Sequence, residues 1–385
     1  MKPKEETSQS RPSYRVALLG TKFMGKAHSQ GYRNVNMYFA DAPRLEQVVI
    51  CGRNPDETEQ ARDAFGWQEA STDWQAVIAR DDIDIVDVVT PGHMHCAMAV
   101  AAAQAGKHVI CEKPLANTLD EAKQMLAAVE SAGVRHLVMH NYRRVPAVAL
   151  AKRMVDDGRI GDIYHFRARY LQDWATTPGL ELVWRFDAKQ AGSGALGDLG
   201  AHVIDLGRYL CGEIAELAGT EETFVKQRPA AAGSEEMADV TVDDAAALCV
   251  RFENGAIGTI EASRFAPGRK NHNTFEINGS RGSLSFDLEN LNNLRFYSLD
   301  DAGDAQGFHE IIACSLGKHP YADNWWFDGH LIGYEHSFTH TIYDWIQAVT
   351  AGEPTHPDFG DGVRNQEVLD TAAKAFASRR WERVG

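Results

Sequence analysis

The chain has 385 residues, 44% of them hydrophobic and 24% charged, a globular balance with apolar material for two cores. A net charge of −15 argues against nucleic acid or an anionic membrane as a partner, because both select basic patches. The sequence holds no run of about 18 apolar residues, so no membrane span is expected.

Met1–Ser13 is polar, lacks the apolar centre of a signal peptide and reads as a disordered tail over residues 1–13. From residue 14 to 140, short apolar runs alternate with helical stretches. Arg15–Leu19, Val48–Cys51, Ile85–Thr90, His108–Cys111 and His136–Met139 read as buried strands. Gly25–Tyr32, Asp56–Phe65, His95–Ala105 and Leu119–Ala132 read as the helices between them. This alternation predicts an α/β unit, a doubly wound parallel sheet of the Rossmann type.

Gly20-Thr21-Lys22-Phe23-Met24-Gly25 follows the first strand and opens a helix, the context of a dinucleotide fingerprint. The middle glycine is replaced by Lys22, whose side chain either points away or adds positive charge near a pyrophosphate. An ordinary strand–turn–helix corner is the plain alternative. Where an acidic residue would grip a ribose hydroxyl, the second strand ends on Arg53, which tilts the reading from NAD toward NADP. Thr90, Pro91, His93 and His95 follow the third strand, at the edge where such sheets bind ligands. Packing or helix capping would also account for the two histidines.

Glu112-Lys113-Pro114 follows the strand His108–Cys111, so Lys113 faces the same crevice. A lysine there can take a hydroxyl proton or hold the oxygen.

The pattern changes at residue 141, and residues 141–385 read as a substrate-binding and oligomerisation domain. A helix starts at Pro146 and runs to about residue 157. Tyr164, Phe166, Ala168 and Tyr170 then alternate with polar residues, a half-solvated strand. Gln172-Asp173-Trp174 ends that strand, and Trp184 and Arg185 lie in the loop beyond it, a polar-aromatic set suited to a sugar.

Gly192–His202 is a glycine-rich lead into a helix, with Asp198 and His202 four apart and Asp205 three further on. On one helix face an aspartate would orient His202 as a base. Gln227–Glu236 reads as a loop. Ala245–Phe252, Ile257–Ser263, Asn273–Asn278, Ser283–Phe286 and Asn293–Tyr297 read as strands, with hairpin turns at Asn254-Gly255 and Asn278-Gly279. The expected architecture is α+β with an open, mainly antiparallel sheet.

Helices over about Ser337–Thr350 and Gly362–Trp381 close the chain and have the option of packing back on the first domain. His336 and His340 have a zinc spacing but no third ligand, so no metal is expected. Cys51, Cys96, Cys111, Cys211, Cys249 and Cys314 are scattered, as fits reduced, buried thiols in a cytoplasmic protein.

Seven stretches in order, GTKFMGKAH from Gly20, TPGHMH from Thr90, GKHVICEKP from Gly106, NYRRVPA from Asn141, GSGALGDLGAHVID from Gly192, EINGSRGS from Glu276 and GYEHSF from Gly333, resemble the Gfo/Idh/MocA oxidoreductases. Tyr170–Trp174, Trp184–Phe186 and Gly268-Arg269 look like segments of its sugar- and anhydrosugar-oxidising members. The resemblance implies NAD or NADP as cofactor, with Glu112, Asn141, Trp184 and Arg185 beside it. It places the family's catalytic lysine on Lys113 and its D-x-x-x-H pair on Asp198 and His202. Tyr142, Gln172, Asp173, Trp174 and His336 would hold substrate hydroxyls. It also implies a homodimer or homotetramer. Lys22, Arg53 and Gly92, where asparagine is usual, depart from the pattern.

The expected activity is hydride transfer between a nicotinamide and a carbinol carbon of a sugar, anhydrosugar or cyclic polyol. Two other readings stay open. One is a redox-neutral lyase, epimerase or transferase that recycles bound NAD. The other is a ligand-sensing module without catalysis.

Overall fold

The computed structural model describes residues 11–385 apart from 178, 318 and 320. Most of the expected tail lies outside the described residues. Its last residue is not tail at all: Ser13 opens β1 (Ser13–Leu19), and the Pro12 carbonyl accepts the Arg44 N–H at 2.7 Å. Beyond β1 come α1 (Phe23–Tyr38), β2 (Arg44–Cys51), α2 (Pro55–Phe65), β3 (Glu69–Ser71) and α3 (Trp74–Ile78). They are followed by β4 (Ile85–Val88), α4 (His95–Gln104), β5 (His108–Cys111), α5 (Leu119–Ala132) and β6 (His136–Val138).

The six strands are all parallel, in the order β3-β2-β1-β4-β5-β6. β4 is buried along its whole length, as a strand covered by helices on both faces must be. The order reverses between β1 and β4, so a crevice opens at their carboxyl ends.

The second sheet follows α6 (Pro146–Asp156). Its strands are β7 (Ile163–Leu171), β8 (Ile214–Glu222), β11 (Ala245–Phe252), β12 (Ile257–Ser263), β13 (His272–Gly279), β14 (Gly282–Asp287), β15 (Asn293–Ser298), β16 (His309–Ile312) and β17 (Glu382–Arg383). β9 (Gln227–Pro229) and β10 (Met237–Asp239) form a separate hairpin. The order is β16-β15-β14-β13-β7-β12-β11-β8-β17, antiparallel except where β7 meets β12. In β7, Phe166, Ala168 and Tyr170 are buried and Arg167 and Arg169 face out, whereas Tyr164, of the same parity as Phe166, is exposed at the start of the strand and does not join the buried set. α7 (Ala188–Ala191) and α8 (Ala201–Cys211) precede β8, and α8 lies over the buried face of β7.

α9 (Tyr334–Ala351) and α10 (Phe359–Ser378) return to the first sheet. Phe338, Ile342, Trp345 and Ile346 of α9 bury against Tyr32, Val35 and Phe39 of the α1 region. Phe359 and Val363 of α10 join the core formed by α4 and α5.

Several local expectations are corrected. Gln227–Pro229 is strand, not loop, because β10 pairs with it. The Asn278-Gly279 turn moves two residues on, since Gly279 still belongs to β13. β8 and its partner β17 carry little strand signal: IAELAGTEE is rich in Ala and Glu, and pairing with β11 overrides that preference. The last helix stops at Ser378, where Arg379 turns left-handed at φ 55°. All six cysteines are free as expected, but Cys249 is exposed and Cys96 half-buried. Among the described residues no helix is long and apolar enough to cross a membrane.

Candidate active site

One cavity of about 1220 Å³ runs from the carboxyl ends of β1, β4 and β5 to the glycine-rich lead before α8. Its first part suits a dinucleotide. Gly20 has φ 130°, and a Cβ there would stand 2.7 Å from the Val89 carbonyl oxygen; one on Gly25 would stand 2.5 Å from the Gly20 carbonyl oxygen. α1 starts at once behind this turn with no side-chain cap on its first N–H groups, so its positive end is left for an anion. Lys22 does not obstruct the turn, because its Nζ reaches out to Glu57 Oε2 at 2.5 Å. Phe23 and Met24 line the entrance, with Phe23 stacked on Tyr334 at 6.2 Å. Arg53 is exposed on the same wall at the end of β2.

Thr90, Pro91 and His93 line the crevice, and His93 Nδ1 lies 3.4 Å from the Gln190 carbonyl. His95 lines the same cavity, and its ring also has a structural task. It is buried, with Nε2 2.8 Å from the Thr90 carbonyl and Nδ1 3.1 Å from that of Pro114, so it staples the ends of β4 and β5. Asn141 lines the cavity too, and its amide donates to Ser337 Oγ at 2.8 Å.

Lys113 meets Asp198 across the cavity. Its Nζ donates to the Asp198 carbonyl at 2.7 Å and to Oδ1 at 3.3 Å. Arg264, almost fully buried, donates to Asp198 Oδ2 at 3.1 Å, and Arg185 Nε stands 4.0 Å from it. Burial raises the Asp198 carboxyl, but Lys113, Arg264 and Arg185 outweigh it and hold the group well below the usual carboxylate range. Asp198 is therefore a fixed anion.

The expected Asp198–His202 hydrogen bond is not formed. Asp198 sits in a π-helical turn (Leu196–Gly200) that runs into α8, and the wider turn takes residues four apart off a common face. Asp205 turns away too, accepting from Arg143 at 2.9 and 2.6 Å. His202 opens on the cavity between the rings of Tyr142 and Tyr170, at 4.6 and 5.7 Å, with no hydrogen bond among the described residues. Burial first and the Lys113 charge second push its pKa well below 6.5, so it is neutral at pH 7.

Beyond His202 the wall is polar and aromatic. The Tyr142 and Tyr170 hydroxyls lie 2.9 Å apart, and Asn271 Oδ1 accepts from Tyr170 at 2.6 Å and Gln172 Nε2 at 2.9 Å. Trp174 and Trp184 line this end, the first under Arg264 and the second under Arg185. Two expected substrate residues are set apart from the cavity. Asp173 accepts from Lys270 Nζ at 2.7 Å and the Gly268 N–H at 3.0 Å, so it aims Lys270 instead of lining the site. His336 accepts the Gly333 N–H at 3.0 Å and lies against Trp325. In its place Tyr334 and Phe338 of the same helix line the cavity.

Behind Lys113 lies a buried ionic chain. His28 of α1 puts Nδ1 2.7 Å from Asp87 Oδ2 and Nε2 2.9 Å from Glu112 Oε1. Burial pulls the His28 pKa down, but the two carboxylates more than offset it and raise it to about 10. His140, buried beside Arg143, is instead pushed down to about 4. The first contribution is present below pH 6.5 and lost as pH rises through 10; the second is present above pH 6.5 and lost as pH falls toward 4. Stability in urea is therefore expected to peak near neutrality and to fall by about 4 kcal/mol between pH 7 and 10. Melts over that range check this, and His28→Gln should flatten the alkaline limb.

Sequence reasoning missed Arg264, Asn271, Tyr334 and His28. His28 closes the GTKFMGKAH stretch and was within reach. Arg264 and Asn271 lie at a strand end and in a loop brought in by long-range pairing, with no local pattern to announce them.

Comparison with known proteins places these features in context. Residues 14–140 match the model of the oxidoreductase family with an NAD-binding Rossmann fold, and residues 148–285 match the GFO/IDH/MocA C-terminal domain. Levoglucosan dehydrogenase of Pseudarthrobacter phenanthrenivorans is 41% identical over 379 residues, 95% of this chain and 97% of that protein. The NAD(+)-dependent scyllo-inositol 2-dehydrogenase of Bacillus subtilis is 31% identical over 271 residues, 70% and 72% of the two chains. A solved levoglucosan dehydrogenase in complex with NADH and levoglucosan superposes with a TM-score of 0.93 at 41% identity, covering 97% of this chain and 99% of the other.

Proposed function

The chain belongs to the Gfo/Idh/MocA oxidoreductase family, and from that premise we propose that it is a nicotinamide-dependent dehydrogenase of an anhydrosugar or closely related cyclic polyol, levoglucosan foremost. The observation that carries this reading is the convergence of Lys113, the fixed anion Asp198 and the unpaired, neutral His202 in one cavity with an anion-binding turn at one end and a tyrosine–amide–tryptophan wall at the other.

When bound, a nicotinamide dinucleotide supplies the acceptor for the carbinol hydride. The Gly20–Gly25 turn and the first N–H groups of α1 hold its pyrophosphate. Thr90, Pro91 and His93 flank its nicotinamide half. Asp198 takes two of the contacts of the Lys113 ammonium, which leaves a third N–H for the substrate oxygen. There Lys113 steadies the negative charge that grows as the hydroxyl proton departs. His202 receives that proton on a ring nitrogen. Gln172, Asn271 and Lys270 take the other hydroxyls, and Trp174 and Trp184 cover apolar ring faces.

A screen of anhydrosugars, sugars and inositols tests the proposal, with NAD and NADP side by side and reduced cofactor as the signal. Reduction with levoglucosan or a near analogue is expected. Tight cofactor binding without reduction on any of them would sink it.

Arg53 supports use of NADP as well as NAD, since Gly52-Arg53-Asn54 directly past β2 brings a cation and no carboxylate, and Glu57 on the same wall is paired with Lys22. Arg53→Ala is expected to raise KM for NADP about tenfold and to leave KM for NAD within about twofold. Equal KM values for NADP in both proteins would show the arginine to be merely solvated.

A further inference from the structure

His28, Asp87 and Glu112 carry three ionisable groups into the centre of the first domain, and the proposed proton chemistry uses none of them. His28 and Asp87 are fully buried, and Glu112 is 5% exposed. Burying charge is costly unless every charge is paired, so such a chain is a weak way to gain stability. Its pairing is nearly complete. Asp87 Oδ2 accepts from both His28 and the Tyr32 hydroxyl, the latter at 2.6 Å. Each imidazole nitrogen of His28 faces a carboxylate oxygen, and only the doubly protonated ring donates to both.

The far end of the chain is where it meets the site. Glu112 accepts His28 on Oε1, while its Oε2 accepts the backbone N–H of Lys113 at 3.1 Å. That contact fixes the peptide from which the Lys113 side chain departs toward Asp198. The groups around His28 are Asp87 of β4, Glu112 beyond β5, Tyr32 of its own helix and the Phe338 ring of α9 at 5.4 Å. Those that act on Glu112 are His28, Lys113 and His95.

We propose that Asp87, His28 and Glu112 form a positioning chain for Lys113, in which an imidazole donating from both ring nitrogens clamps Glu112 so that Glu112 holds the lysine backbone in the orientation that reaches Asp198. His28 and Glu112 act through Lys113 and are positioning residues. The inference rests on the role given to Lys113 above. It also explains why the helix carrying the phosphate-binding turn is tied by a side chain to the loop carrying the lysine: both halves of the cavity keep one geometry.

The test combines turnover with a readout that needs none. His28→Gln and Glu112→Gln are each expected to lower kcat about 10- to 100-fold, with KM for cofactor and substrate within about twofold, since misplacing a reacting group by about 1 Å costs on that order. Because both act through one path, the double variant should be no slower than the worse single. In the cofactor-free wild type, ¹⁵N NMR should show both His28 nitrogens protonated up to pH 9. His28→Gln should move the Lys113 backbone amide resonance.

Wild-type kcat in His28→Gln, losses that multiply in the double variant, or a neutral His28 ring at pH 7 would each overturn the positioning chain. An inactive wild type would count against the dehydrogenase reading instead, and the NMR result would still decide the charge on His28 and its link to Lys113. Variants that fail to fold leave the wild-type histidine spectrum to decide.

Discussion

Lys113→Met is expected to lower kcat by about 10³-fold while KM for the cofactor stays within about threefold of wild type. Methionine keeps the length and most of the volume of lysine and removes only the charge and its N–H donors. The loss is expected to be this large because Lys113 reaches the cavity with 11% of its side chain exposed, where an ion pair is poorly screened by water. The change also strips Asp198 of one of its three cations, although Arg264 and Arg185 remain. Lys113→Arg should recover little, since a planar guanidinium cannot set its charge on the point occupied by the ammonium. Steady-state kinetics on the identified substrate read the result. A kcat within a few-fold of wild type would remove Lys113 from the chemistry.

His202→Ala is the second large effect, a fall in kcat of about 10²- to 10⁴-fold. Among the described residues His202 has no hydrogen-bonding partner whose loss would disturb the fold, so the variant should melt close to wild type. The pH profile carries the sharper prediction. The folded pKa lies well below 6.5, so the base is already unprotonated at neutrality, and kcat/KM of the wild type should not fall until the pH drops well under 6.5. In His202→Ala that plateau should give way to a rate that climbs steadily with pH, as hydroxide takes over, and added imidazole should restore part of the activity. A plateau that survives the substitution would assign the proton to another group.

The parallel sheet was legible because its strands are continuous apolar runs separated by amphipathic helices, a local signal. Lys113 was legible for the same reason: it stands two residues past an apolar strand, where the topology must open. The Asp198–His202 relation was misjudged, because a heptad-style spacing argument assumes a regular helix and the chain inserts a π turn between them. The substrate wall was legible only in part. Gln172 and Trp174 sit at the end of a strand with clear alternation, whereas Asp173 between them points the other way, as neighbours at a strand end do. Asn271 and Arg264 owe their places to the pairing of β7 with β13 and β12, contacts about 100 residues apart that no local pattern encodes. Of the ionic chain behind Lys113, His28 and Glu112 stand in stretches the sequence singles out, and Asp87 is one polar residue in an apolar strand; their mutual contact was hidden, because packing and burial, not local sequence, bring them together.

The central claim is net removal of hydride from a carbinol carbon of the substrate by this cavity. Levoglucosan, or whichever analogue proves active, carrying deuterium at the oxidised carbon tests it most directly. One deuterium on the reduced nicotinamide per molecule of product, with a slowed turnover, is the predicted result. Product that forms while reduced cofactor fails to accumulate, with the deuterium returned to carbon, would contradict it and identify a redox-neutral enzyme.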